Sequence, residues 1–512
     1  MQDEILKFYE LSKAKVCDET TQLFINLAPQ IRAWLSSDEF RQNYSHLTYA
    51  PLLNPKNINY ETSEPWPCFI LNIPLPPFYD FMMFGSHGTG FAAIPKLLKL
   101  CACGDASRDG EQESFRIYES LFEQLLKQNE LKKQGKIKAI SLNICDFALD
   151  EDNEKLYSLM PAKCALHIVR DPISILKALC NLQTPKEHCD EEADFTSLDQ
   201  NDKMVQKIKR IGKKTLAYTL DVDPYEILKD KVLYRINTQN SRGGGGPFKY
   251  PNASACEFWA REITQGFHDG LLAKALVRVE NIRIMQTDDF MGKKAFSTLE
   301  ALSAEFGFNK PDDSLLELFQ ARVSDLKCFI PAYILLNQNN LQKDNKVQRL
   351  GFDEILSVKL STKFECELDE VVVDGFALPS PFVLVANSIN DIEKLHHASI
   401  KAPLQEYLTK LTKAILDQVK TEDAKKITQE DILEYFKQNK QSAMLFDGLL
   451  TQHLRPLSKN NDLINSWGYY KEFEKIISAH YENDDTRFRL CRKNDDKSYV
   501  FMKFKKDDLK GL

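Results

Sequence analysis

The sequence predicts an α/β fold in which strands alternate with helices. Three observations predict it. An apolar run, Phe78 to Phe84, broken only by Asp80, leads into the glycine-rich segment Gly85-Ser86-His87-Gly88-Thr89-Gly90, and a helix-capable run, Ala92 to Leu100, follows. The buried-type run Ala165 to Val169 leads into Arg170-Asp171-Pro172 and the helical run Ile173 to Leu182. Between these two units, a long helical pattern, Glu111 to Lys133, precedes the strand-like stretch Ile137 to Ile144. Short apolar runs alternating with amphipathic helices are the pattern of sheets covered by helices.

Taken in order, residues 1–60 read as helical, with Ile5, Phe8, Leu11, then Leu23, Ile25, Ile31 and Leu35 at amphipathic spacing. The proline- and asparagine-containing stretch Pro51 to Pro67 reads as a loop. The core domain is expected over 61–325. The helix after the glycine segment is expected to end at a Gly104-Asp105 turn, and the helix Glu111 to Lys133 presents Phe115, Tyr118, Leu121, Leu125 and Leu126 on one face. At the second unit, Asp171 suits an N-cap and Pro172 the first helical position, which sets Arg170 at a strand end with Ser174 in the first helical turn. Thr184 to Asp202 reads as an exposed acidic loop, Lys203 to Lys214 as a basic amphipathic helix, and Val232 to Ile236 as a strand. The run Gly243-Gly244-Gly245-Gly246 cannot hold regular structure, because ordering four glycines costs too much entropy. Residues 326–512 form the extension. Strands are expected within Phe364 to Asp374 and Pro381 to Ala386, helices over Pro403 to Lys426 and Ile427 to Phe446, the second capped by Thr428, and a basic end with strand-like spots such as Tyr499-Val500-Phe501. His396-His397 reads as an exposed pair.

Composition narrows the function classes. The chain has 512 residues, 43% of them hydrophobic and 10% aromatic, ample for buried cores. A net charge of −7 argues against general nucleic-acid binding, which carries a basic excess. No apolar run approaches the length of a bilayer span, and the start Met1-Gln2-Asp3-Glu4-Ile5 lacks a signal peptide's cationic start and apolar centre, so a cytoplasmic protein is expected. Twelve cysteines are scattered and read as reduced thiols. Cys101-Ala102-Cys103 lacks metal-knuckle spacing and His188-Cys189 has no nearby partners, so no metal site is expected.

The glycine segment is of the type that cradles phosphate. Gly85, Gly88 and Gly90 let the backbone approach a ligand, Ser86 and Thr89 add hydroxyls, and His87 titrates near neutrality. An ordinary tight turn would use the same residues. Arg170 beside a helix start suits a two-pronged grip on a second phosphate, or pairing with a nearby carboxylate.

The two segments, in this order, resemble the sulfotransferase superfamily, a P-loop type of fold with a parallel sheet flanked by helices. In that family the early loop holds the 5′-phosphate end of the donor, and a later strand ending in Arg-Asp-Pro holds its 3′-phosphate. Asn281 to Phe290 resembles the late strand with its Glu-Asp-Leu-type turn, the run through Leu299, Leu302 and Phe306 to Gly307-Phe308 resembles the element after it, and Phe258-Trp259-Ala260-Arg261 stands where such proteins carry an aromatic helix. Two positions depart from the family. Ser86 stands where the first motif has Lys or Arg, and Ala178 stands eight residues after Arg170, where the second has Ser; Ser174 is the nearest hydroxyl. The family's Arg-Lys-Gly loop follows the late strand, whereas the four glycines here precede it.

With the His-Gly-Thr-Gly loop and the long extension, the chain resembles more closely a campylobacter-type family of capsule-locus transferases implicated in placing O-methyl phosphoramidate on capsular sugars. That resemblance implies a transferase with a 3′-phosphorylated cytidine-type donor, a glycan acceptor and no prosthetic group. Gly85, Ser86, His87, Gly88, Thr89, Gly90, Arg170 and Ser174 would bind the donor, and His87 would act in catalysis. The alternatives are a sulfotransferase using the 3′-phosphoadenosine donor (PAPS) and a non-catalytic binding protein on the same scaffold. A P-loop kinase is disfavoured, because no Gly-Lys-Ser/Thr follows the loop.

Overall fold

The structure is a computed structural model that describes residues 2–108, 113–145, 151–185, 216–229, 231–234, 249–259, 266–320, 326–336, 356–366, 370–482, 486–492 and 499–505. The chain groups into two compact units. The first comprises 1–175, 259–311 and 433–512, the second 176–258 and 312–432. The stretch 326–512, expected as one extension, is thus divided between them.

The first unit is α/β, built on a five-stranded, all-parallel sheet flanked by helices, compatible with Rossmann- or P-loop-like folds. Its strands are β1 (Phe81–Phe84), β2 (Cys103–Ser107), β3 (Ala139–Ile144), β4 (Ala165–Val169) and β8 (Ile282–Gln286), in the order β2-β3-β1-β4-β8. The three central strands are buried along their whole length, as strands covered on both faces are, and are mainly apolar, with Ser141 and Asn143 on β3 and His167 on β4 as buried polar residues. The edge strands are the ones that carry charge, Asp105 on β2 and Arg283 on β8. Asp80, which interrupts the first run, stands just ahead of β1. There it accepts the Ile140 N–H (2.8 Å) and the Lys132 ammonium (2.7 Å).

Tyr118, Leu121, Phe122 and Leu125 of helix Ser114–Lys133 share a core with Phe84, Ile140 and Leu142 of the sheet, and with Phe8, Phe24 and Ile31 of the N-terminal helices Gln2–Ser12 and Asp18–Leu35. Each such fully buried side chain contributes roughly 1.5–3 kcal/mol. The unit also holds helices Lys440–His453 and Gly468–Tyr481 and an antiparallel hairpin.

In the second unit, β5 (Gln183–Pro185) pairs antiparallel with β7 (Val232–Tyr234). A second five-stranded sheet runs β11-β12-β10-β9-β6 from β6 (Leu216–Thr219), β9 (Ala332–Leu336), β10 (Leu356–Thr362), β11 (Val371–Val372) and β12 (Phe382–Ala386). It is antiparallel except for β6 on β9. Ile334, Val358, Leu360 and Leu384 pack with Leu404, Leu408, Leu411 and Ile415 of the long helix Ala398–Asp423. The hairpin of the first unit is β13 (Thr486–Arg492) with β14 (Tyr499–Lys505).

Several expectations need correction. Gly104-Asp105 is not a turn but lies inside β2; the chain reverses earlier, where Ala102 takes φ 56°. Pro51 to Pro67 is not all loop, since it contains the short turn Pro55–Asn57 and the start of helix Pro65–Ile70. The single helix expected over Ile427 to Phe446 is two, Gln429–Gln438 and Lys440–His453, with Asn439 between them. Thr428 does cap the first, its Oγ1 accepting the Asp431 N–H (3.2 Å). Strands β9 and β10 were not expected at all, and within Phe364 to Asp374 only Val371–Val372 is strand among the described residues. Residues 186–215 and 235–248, with the basic run and the four glycines, lie outside the described residues. No helix among the described residues is long and apolar enough to cross a membrane.

Candidate functional site

The sheet order fixes where a ligand can sit. From β1 the chain crosses to β2 and β3 on one side, and β4 is laid down on the other. The carboxyl ends of β1 and β4 therefore flank the point where strand order reverses, the usual crevice of open parallel sheets. The glycine segment follows β1 and Arg170 follows β4, with Phe84 beside His167 in register. Both segments predicted from sequence meet at this corner.

The loop is tied down from several sides. Arg170 donates through Nη1 to the Gly88 carbonyl (2.8 Å). Thr89 Oγ1 donates to the Ser86 carbonyl (2.6 Å), and the Thr89 N–H reaches the same oxygen (3.3 Å). Thr287, directly after β8, places its hydroxyl between the Thr89 carbonyl and the Val169 carbonyl. The late strand expected around Asn281 to Phe290 thus joins the same corner. Gly85 is required here, because a Cβ would lie 2.8 Å from the Ile168 carbonyl oxygen of β4. Gly88 and Gly90 take φ of +85° and +76°. The following helix, Ile94–Lys99, starts four residues after Gly90, later than the run from Ala92 suggested.

Asp171 anchors the second turn. Its Oδ1 accepts the N–H groups of Ile173 (2.9 Å) and Ser174 (3.4 Å), capping helix Pro172–Cys180 as expected. Its Oδ2 accepts the N–H groups of Tyr469 and Tyr470 (both 3.1 Å), at the start of helix Gly468–Tyr481. Burial pushes the Asp171 carboxyl up, against those four N–H donors. Burial pulls the Arg170 guanidinium down, against the carboxylates of Asp288 and Asp171. Ser174 is buried and His87 half-buried, each engaged in interactions of its own.

Beneath the loop lies a cluster that sequence reasoning missed. Ser86 is fully buried, and its hydroxyl donates to Asp269 Oδ1 (2.5 Å) while accepting the His268 N–H (3.3 Å). Asp269 Oδ2 faces His167 Nε2 of β4 at 3.0 Å and His453 Nδ1 at 3.7 Å. Asp269 and all three histidines are fully buried. The His167 ring stacks on Phe84 (4.5 Å), and Phe267 meets His453 edge-on (5.2 Å). Phe267 takes φ 59°, rare for an aromatic residue, just before the His268-Asp269 pair. Burial works against the Asp269 charge, yet His453, His167 and His268 together hold its carboxyl below the usual carboxylate range. Burial lowers His453, opposed by Asp269 and reinforced by His167. The signal in the sequence was His167, a titratable residue inside an otherwise apolar strand, which burial obliges to find a polar partner.

The arrangement sets chemical limits. Ser86 gives its proton to a carboxylate rather than to an imidazole and has no exposure, so it is not placed as a nucleophile. The Ser86 and Thr89 hydroxyls are both spent inside the protein, in place of the ligand-facing role expected for them. Among the described residues, no group of three or more His, Cys, Asp or Glu is arranged to hold a metal ion.

A family described as "Protein of unknown function (DUF2972)" matches residues 284–479, a stretch that includes Thr287, Asp288 and His453 but not the glycine loop, Arg170 or Asp269. No curated protein and no solved structure matches the chain.

Proposed function

We propose that this chain is a sulfotransferase-like transferase. It grips a 3′-phosphorylated nucleotide across the ends of β1 and β4, and moves a sulfate-like or O-methyl phosphoramidate group onto a sugar hydroxyl of a capsular polysaccharide. The observation that carries the reading is the Arg170–Gly88 hydrogen bond (2.8 Å), which joins the two motif segments at the reversal point of a parallel sheet. Arg170 has five N–H donors and spends one on Gly88; the remaining fork suits the ribose 3′-phosphate. Backbone N–H groups of Ser86, Gly88 and Gly90 would hold the diphosphate-like end, since the N–H groups of Gly85 and Thr89 and the loop's hydroxyls are engaged elsewhere.

In the transfer step the sugar oxygen attacks the sulfur or phosphorus of the moving group. The bridging bond to the nucleotide phosphate breaks, and its electron pair leaves on the nucleotide. The sugar hydroxyl proton needs an acceptor within hydrogen-bond reach, and His87, in the loop that holds the leaving phosphate, takes that role. The developing charge sits on peripheral oxygens, so positioning and hydrogen bonding supply most of the catalysis.

Titration with 3′-phosphorylated adenosine and cytidine 5′-nucleotides tests this. Arg170→Ala is expected to weaken binding by about ten- to a hundredfold, the worth of a charge-assisted hydrogen bond. His87→Ala is expected to keep binding and lose transfer. Absence of nucleotide binding, or unchanged affinity in Arg170→Ala, would overturn the reading. The inward hydroxyls of Ser86 and Thr89 favour, as a second reading, a binding protein on the same scaffold; nucleotide binding without transfer would select it.

A further inference from the structure

A cleft of about 450 Å³ opens in the first unit between the segment His46–Tyr49, helix Glu151–Ser158 and the end of helix Asp269–Ala275. None of residues 85–90, Arg170 or Thr287 lines it. Its volume lies in the range of small-molecule sites.

Arg278 sets its chemistry. The side chain is half-buried, its guanidinium lies over the Tyr44 ring (6.0 Å), and its Nη1 is buried with no hydrogen-bond partner. A guanidinium withdrawn from water normally faces a carboxylate or phosphate, because an unpaired charge in that setting is costly. The ionisable groups that act on Arg278 are the hydroxyls of Tyr44, Tyr79 and Tyr60, and no carboxylate is among them. Burial pulls the guanidinium below its ordinary value. Glu154, an acidic residue of the lining, is engaged in an interaction of its own. Lys274, exposed at the same cleft, adds a second cation. Leu271 and Val277 supply apolar wall, and Thr48 supplies a hydroxyl.

We propose that this cleft binds a sugar-sized molecule carrying one carboxylate or one phosphate, with Arg278 taking the anion and Lys274 completing the charge. The proposal does not depend on the transferase reading.

Calorimetric titration of the full chain with glucuronate, glucose 6-phosphate, inorganic phosphate and glucose tests it. At least one acidic sugar is expected to bind and glucose is not; which acidic sugar binds separates carboxylate from phosphate recognition. Arg278→Gln should weaken binding by about tenfold or more, the loss of a charge-assisted hydrogen bond. Lys274→Ala, a change at an exposed side chain that leaves the packing intact, should weaken it severalfold. Repeating the titration in Arg170→Ala separates this site from the strand-end corner, and binding through the cleft should survive there. The proposal fails if no acidic sugar binds at up to about 10 mM. It fails equally if binding is untouched by both Arg278→Gln and Lys274→Ala, or disappears in Arg170→Ala alone.

Discussion

Replacing Asp269 by asparagine is the most searching single change. The carboxylate is fully buried and meets the Ser86 hydroxyl at 2.5 Å, His167 Nε2 at 3.0 Å and His453 Nδ1 at 3.7 Å. The amide has nearly the same shape, so packing is preserved and the experiment isolates charge and hydrogen bonding. It keeps one acceptor oxygen and turns an N–H₂ toward either the serine or an imidazole. Removing one member of a buried, charged cluster costs about 3–5 kcal/mol, of which the charge-assisted bond to Ser86 accounts for roughly 1.5–3 kcal/mol. Set against a typical total of about 5–15 kcal/mol, the loss is a large share of the unit's stability. All four tryptophans (Trp34, Trp66, Trp259 and Trp467) belong to the unit that holds the cluster, so fluorescence during urea unfolding reports on it. With a slope of about 3 kcal/mol per molar urea, the midpoint should fall by about 1 M or more. Ser86→Ala should produce a smaller fall, and the two changes together should cost less than their sum by about 0.5–3 kcal/mol, because they share a bond. A midpoint shifted by less than about 0.2 M, or strict additivity, would refute the claim that this cluster fastens the loop.

Two further outcomes are expected. Stability should fall on acidification from pH 7 to 5: His453 is held neutral below its ordinary value of 6.5, so the unfolded chain takes up a proton the folded chain resists, and stability is lost as pH drops through that ordinary value. The depressed Asp269 carboxyl contributes stability that persists over this window and is lost only at lower pH, as pH falls through its folded value. A flat midpoint against pH in wild type, or the same acid slope in His453→Gln, would contradict this. Gly85→Ala should destabilise by about 1–3 kcal/mol, since its Cβ would press on the backbone oxygen of Ile168 at 2.8 Å; an unchanged thermal midpoint would show that the strands can separate there.

Much of the corner was legible because its signals are local. Ala165–Val169 was legible as a strand because a short, mainly apolar run ending in β-branched Ile168 and Val169 stops at Arg170-Asp171-Pro172, and Asp171-Pro172 starts a helix because the cap and the fixed φ act within three residues. The glycine segment likewise declared a turn after β1. Where the local signal was ambiguous the reading slipped. Gly104 marks a strand rather than a turn, β9 is a five-residue apolar run, and β10 interleaves Ser357, Lys359 and Ser361 with its apolar residues and is held between β9 and β12.

The sequence by itself determined the strand and turn at β1 and the strand, turn and helix start at β4, since caps, glycine and apolar runs act over a few residues. Only the tertiary structure decided what those segments lean on. Ser86 finds its carboxylate 183 residues away, and Asp171 caps a second helix 298 residues away. Such pairings leave no spacing in the chain, because folding brings them together through burial, and burial specifies that a polar partner must exist without specifying which one.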